Sequence, residues 1–157
     1  MDAQDMGNAL ERILVTEDEL ARRMAELAAE IDADYQGKEI LLVGVLKGAV
    51  MVVADLSRHL HTPLSMDWMA VSSYGAGTKS TGVVRILKDL DADVTGRDVL
   101  IVEDIIDSGL TLSWLRENLL ARGAASVEIA TALRKPEALK VQVEVKYVGF
   151  DIPNEID

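Results

Sequence analysis

The sequence predicts an α/β domain, with a largely parallel central sheet flanked by helices, and three observations carry that prediction. Apolar runs of strand length alternate with stretches of helical periodicity along the chain. The run Ile40 to Val45 has no polar position, as a strand covered on both faces requires. The 157 residues, 49% of them hydrophobic, suffice for one sizeable core and not for two, so a single domain over 1–157 is expected.

The elements follow in order. Thr16-Glu17-Asp18-Glu19 has the form of a capping box, in which the Thr16 hydroxyl and the Glu19 carboxylate satisfy orphan amides at a helix start. Behind it Leu20, Met24, Leu27 and Ile31 recur at helical spacing, which marks an amphipathic helix from about Thr16 to Ile31. The strand Ile40 to Val45 leads through Leu46-Lys47-Gly48 into a helix from about Val50 to Leu60. Leu64 to Val71 and Val83 to Leu87 read as strands around the polar, glycine-containing segment Ser72 to Gly82, a long hairpin-like loop. Asp98 to Val102 is a further apolar strand, Leu110 to Ala121 a helix, Val127 to Ala132 a strand and Val145 to Phe150 the last.

Composition narrows the function. A net charge of −11 argues against broad attraction to nucleic acid, whose binding rests on neutralising phosphates with Lys and Arg. It leaves room for a small phosphorylated ligand, which a helix N-terminus, local donors and a divalent cation can hold. With no cysteine there is no disulfide or thiolate metal site. No apolar run approaches the roughly 20 residues that cross a bilayer, so no membrane association is expected and the cytoplasm is the default location.

The informative stretch is Val99-Leu100-Ile101-Val102-Glu103-Asp104-Ile105-Ile106-Asp107-Ser108-Gly109-Leu110-Thr111. An apolar strand delivers two adjacent carboxylates at its carboxyl end, where ligands bind in open α/β sheets. A short loop with a third carboxylate, two hydroxyls and a glycine then opens a helix. Residues Asp107 to Thr111 would offer amides, hydroxyls and the positive helix end to a phosphate. The neighbouring carboxylates would face sugar hydroxyls or a divalent cation. Read on pattern alone, the same residues also suit a helix cap beside a solvated acidic turn.

This stretch resembles the phosphoribosyl pyrophosphate motif of type I phosphoribosyltransferases, and its details match the hypoxanthine-guanine members. Leu46-Lys47-Gly48 resembles the family loop that contacts pyrophosphate, often with a non-proline cis peptide before the lysine. Ser73-Tyr74 and Gly75 to Gly82 resemble the mobile loop that closes over the reacting centre. Lys135 stands where the family places the lysine that donates to the purine O6, and Val148-Gly149-Phe150-Asp151-Ile152-Pro153 resembles the segment leading into the base pocket.

The resemblance implies purine salvage: transfer of phosphoribosyl from phosphoribosyl pyrophosphate to hypoxanthine or guanine, giving IMP or GMP. In that scheme Glu103 and Asp104 hold the ribose hydroxyls and Mg²⁺, and the loop around Ile105, Ile106, Asp107, Ser108, Gly109, Leu110 and Thr111 takes the 5′-phosphate. Lys47 and Gly48 face pyrophosphate, Lys135 orients the base, and Asp107 accepts the N7 proton. A homodimer or homotetramer is implied as well. Family members usually continue past Pro153-Asn154-Glu155 with an aromatic-Val-Val-Gly-Tyr segment, whereas here Ile156-Asp157 follows, so an incomplete base-binding lid is expected. Asp107 and Lys135 disfavour adenine and pyrimidines; the choice among hypoxanthine, guanine and xanthine stays open.

A reading from another class is a non-catalytic sensor of phosphoribosyl pyrophosphate or a nucleotide, using the same cradle. Other motifs fall away. Gly75-Ala76-Gly77-Thr78-Lys79-Ser80 lacks the Gly-Lys-Ser/Thr succession of a P-loop, and Asp89, Asp91 and Asp93 lack the glycine and terminal glutamate of a calcium loop. His59 and His61 are expected at the surface, at a helix end.

Overall fold

The computed structural model describes residues 15–73 and 84–154. Its elements are α1 (Glu17–Asp34), β1 (Ile40–Val45), α2 (Val50–His59), β2 (Leu64–Ser73), β3 (Val84–Lys88), β4 (Asp98–Ile106), α3 (Leu110–Ala121), β5 (Ser126–Arg134) and β6 (Tyr147–Asp151), with one 3-10 turn at Pro136–Ala138. The capping box is present. Thr16 Oγ1 accepts from Glu19 N at 3.1 Å, and Glu19 Oε1 accepts from Thr16 N at 3.4 Å. Helix α1 runs three residues past the expected end at Ile31, to Asp34, and Leu27, Ala28 and Ile31 carry its buried face.

Six strands form one sheet in the order β3-β2-β1-β4-β5-β6. Five of them run parallel, and β3 joins β2 antiparallel, as the expected hairpin around Ser72 to Gly82 requires. Every residue of β1, at the centre, is buried. Alternation then sorts the core into two layers. Ile40, Leu42, Leu100, Val102 and Ala130 face α1 and α2, while Leu41, Val43, Val99, Ile101 and Ile129 face α3.

That split has a functional consequence. The chain leaves β1 through α2 on one face toward β2, and leaves β4 through α3 on the other face toward β5. β1 and β4 are neighbours, so their carboxyl ends flank the point where the winding reverses. A crevice opens there in any sheet wound this way.

Strand β4 corrects the sequence reading. It was expected to end at Val102, but pairing with β5 continues through Ile105↔Leu133 and Ile106↔Arg134. Glu103 and Asp104 therefore lie within the strand. The strand β6 begins at Tyr147, two residues later than expected.

The loop after β3 is tied to the sheet by Asp67, which is 5% exposed. Its carboxylate accepts from Trp68 N at 2.8 Å, Asp91 N at 3.0 Å and Ala92 N at 2.9 Å. Asp67→Ala strands these amides in a dry site, and unfolding free energy should fall by about 3 kcal/mol. In calorimetry this is a drop of roughly 6–12 °C in Tm. A loss below about 1 kcal/mol would mean that water replaces the carboxylate.

Candidate active site

The crevice at the switch point holds a cavity of about 300 Å³, lined by Leu46 from the end of β1, Glu103, Ile105 and Ile106 from β4, and Asp107, Ser108, Gly109 and Thr111 from the turn into α3. Two helices begin at its rim. The N-cap of α2 is Ala49 and that of α3 is Gly109, and neither carries a side-chain cap. Both positive helix ends are thus presented at the carboxyl ends of adjacent strands, which is where an anion with two phosphate groups gains most.

The turn 107–109 is shaped by Gly109. Its φ of +78° lies in the left-handed region, and a Cβ there would come within 2.8 Å of Val143 and 3.1 Å of Leu139. Ser108 Oγ accepts from Leu110 N at 3.4 Å and has its own proton to donate. The turn is braced from behind, because Lys140 N donates to Ser108 O at 2.9 Å. Sequence reasoning missed this brace. Its trace was the period-two series Leu139, Val141, Val143, Val145, one apolar side on an otherwise polar stretch.

The parallel register brings Lys135 and Asp107 together. Ile106 pairs with Arg134, so the next residue of each strand emerges at the same edge. Lys135 Nζ lies 3.8 Å from Asp107 Oδ1, with the lysine side chain 7% exposed and the aspartate 63%. Lys135 N also donates to Ile106 O at 2.9 Å, which fixes the backbone of both. A buried ammonium whose contact with Asp107 lies at the far limit of ion pairing has donors left to offer.

On the opposite wall the Leu46–Lys47 peptide is cis. Lys47 and Gly48 are exposed there, and Leu46 N donates to Met69 O at 2.8 Å. Gly48 lies against the Asp104 carboxylate so closely that a Cβ would meet Asp104 Oδ2, and would stand 2.7 Å from Cγ. Asp104 Oδ1 is itself fixed by Ile105 N at 2.8 Å.

The two acidic residues differ in environment. Burial, then hydrogen bonding to the Asp104 side chain, pushes Glu103 up to about 8, although Asp104 N donates to its carboxylate. Glu103 lines the cavity and Asp104 packs beneath Gly48, with the two carboxyl groups within hydrogen-bonding reach of each other. His59, at the end of α2, and His61 are both exposed, as expected.

The structure thus gathers Lys47, Gly48, Glu103, Asp104, Ile105, Ile106, Asp107, Ser108, Gly109, Leu110, Thr111 and Lys135 around one crevice. Ser73 ends β2, and Tyr74 with the loop up to Gly82 lies outside the described residues, as does the tail from Glu155. A larger hollow of about 740 Å³ lies behind α3, between Arg116, Glu117 and Glu144. Neither the acidic pair nor any residue of the turn 107–109 lines it, so chemistry places the site in the smaller cavity.

Comparison with known proteins agrees with this geometry. Residues 13–157 match the family described as phosphoribosyl transferase domain. The chain is 53% identical over 152 residues to a hypoxanthine-guanine phosphoribosyltransferase of Mycobacterium tuberculosis, covering 93% of this chain and 75% of that one. It is 49% identical over 149 residues to the Bacillus subtilis protein of the same name, covering 95% and 83%. A crystal structure of a hypoxanthine phosphoribosyltransferase from Staphylococcus aureus superposes with a TM-score of 0.93 at 45% identity, over 99% of this chain and 84% of that one. With identity at that level along nearly its whole length, the chain belongs to the hypoxanthine-guanine phosphoribosyltransferases, within the phosphoribosyl transferase domain family.

Proposed function

We propose that the chain, as one phosphoribosyltransferase domain, moves the 5-phosphoribosyl group from phosphoribosyl pyrophosphate to hypoxanthine or guanine, giving IMP or GMP and pyrophosphate. The observation that carries this is Lys135, buried beside an exposed Asp107 at the rim of a cavity that two helix N-termini face. An ammonium donor and a carboxylate acceptor 3.8 Å apart suit the O6 and the N7 proton of a 6-oxopurine. Relatives that match over three quarters of their length bear transferase names, which favours catalysis over a sensor.

In this reading the turn 107–111 and the start of α3 bind the 5′-phosphate, and Lys47 with Gly48 faces the pyrophosphate near the start of α2. As the purine nitrogen attacks C1 and the bond to pyrophosphate breaks, positive charge builds on the ribose ring, and Asp107 takes the proton from N7. Exclusion of water from that centre falls to the loop opening at Ser73 and Tyr74.

The donor set fits Mg²⁺. Glu103 and Asp104 give two carboxylates, and this cation is held well by one or two of them together with substrate oxygens and water. When bound it would neutralise charge on the departing pyrophosphate. The same reading gives a cytoplasmic enzyme acting as a homodimer or homotetramer; no described helix is long and apolar enough to cross a membrane.

The test is direct. The purified chain, incubated with phosphoribosyl pyrophosphate, Mg²⁺ and each base in turn, is expected to form IMP or GMP with release of one pyrophosphate per nucleotide. No nucleotide from either base would overturn the proposal.

A further inference from the structure

Strand β6 is the edge of the sheet, with no strand on its far side among the described residues. Its last residues, Phe150 and Asp151, open the Phe150-Asp151-Ile152-Pro153 segment, which Ile152 N ties to Arg134 O, next to Lys135. An edge strand held by one ladder is the part of a sheet most free to shift. Two residues of α1 hold β6: Asp34 Oδ2 accepts from the Tyr147 hydroxyl at 2.6 Å at the start of the strand, and Arg23 grips the backbone further along. Arg23 Nη2 donates to Val148 O at 2.8 Å and Nε to Gly149 O at 3.0 Å, across more than a hundred residues of sequence. Its remaining nitrogen, Nη1, faces Glu26 at 3.3 Å and Glu30 at 3.5 Å, which hold the guanidinium in orientation. The side chain is 29% exposed, so the two carbonyl bonds are partly shielded from water.

Gly149 is the point of closest approach on the other side. A Cβ there would meet Ala132 O and stand 3.1 Å from Ala132 C, so β6 sits against β5 with no space for a side chain. Past that point Ile152 N donates to Arg134 O at 2.9 Å, and Arg134 Nε reaches Asp151 Oδ1 at 2.7 Å. Arg23 therefore presses β6 onto the strand whose end carries Lys135.

We propose that Arg23 is a positioning residue for the base half of the reaction: through β6 it sets the distance between the segment 150–153 and Lys135, and so tunes the affinity for the 6-oxopurine without touching it. The proposal rests on the transferase reading above. It separates the two substrates, because Arg23 bonds to β6 and within α1, whereas the phosphoribosyl end is built on β1, β4, α2 and α3.

Arg23→Met keeps the apolar stem and removes the donors. KM for hypoxanthine and guanine is expected to rise about tenfold, while KM for phosphoribosyl pyrophosphate stays within about twofold. Amide exchange should quicken at Ile152 and not at Lys135, whose N–H is bonded to β4. Arg23→Lys, with a cation but no planar fork, should fall between the two, and carries the test if Arg23→Met does not fold. An active wild type whose variants leave the base KM unmoved, or raise both KM values together, overturns the positioning role alone. A wild type that makes no nucleotide overturns the transferase reading and takes this proposal with it.

Discussion

Asp107→Asn is expected to lower turnover by about 10²–10⁴-fold, the usual worth of a positioned general base. The substitution is nearly isosteric, and Asp107 is 63% exposed, so its cost to folding should be small. The amide keeps an oxygen toward Lys135 Nζ, now 3.8 Å from Oδ1, but it has no basicity to draw a proton from N7. Binding of phosphoribosyl pyrophosphate should hold or tighten, since a negative charge leaves the rim of a phosphate cradle. The loss should therefore appear in kcat, with KM for phosphoribosyl pyrophosphate moving less than about threefold. Steady-state kinetics of nucleotide formation reads both. Undiminished turnover in Asp107→Asn would remove the proton-accepting role from this residue and leave it as a part of the phosphate turn.

How much of this was legible in the sequence depends on the range of the interaction. The capping box at Thr16 and the all-apolar strand Ile40–Val45 are local signals, and the structure contains both. The early end assigned to β4 has a physical reason. Its last four residues include Glu103 and Asp104, whose polarity serves the crevice, so an apolar pattern stops at Val102 while the ladder to β5 runs on to Ile106. The same error hid a geometric fact, that the two acids belong to the ladder and hold their carboxyl groups within reach of each other at its end. Lys135 and Asp107 are 28 positions apart, and only the β4–β5 register brings them to one edge. Nothing in the periodicity of either segment announces that meeting; the family resemblance did. Arg23 and the 139–143 brace were missed because a helix arginine and an alternating tail are ordinary in sequence, and their partners are backbone carbonyls and amides that no side-chain pattern records.

Gly48→Ala should be almost as damaging as the loss of a catalytic group, although it adds one methyl to an exposed loop. That methyl has no room: it would lie 2.7 Å from Asp104 Cγ and against both carboxylate oxygens. Asp104 cannot simply turn away, because Oδ1 is fixed by Ile105 N at 2.8 Å. Leu46 N is likewise tied to Met69 O on the other side of the loop, so the 46–49 segment lifts only by breaking that bond. Either movement shifts a wall of the phosphoribosyl site by about 1 Å, a misplacement that costs roughly 10²-fold in rate. We therefore expect kcat/KM for phosphoribosyl pyrophosphate to fall by about that factor, with a loss of stability no larger than about 2 kcal/mol. A double-mutant cycle isolates the cause. If the methyl acts by displacing Asp104, then Asp104→Ala removes the obstacle, and Gly48→Ala adds nothing further in that background. Multiplicative losses in the double variant would show instead that Gly48 serves the pyrophosphate through its own backbone, independently of the carboxylate beneath it.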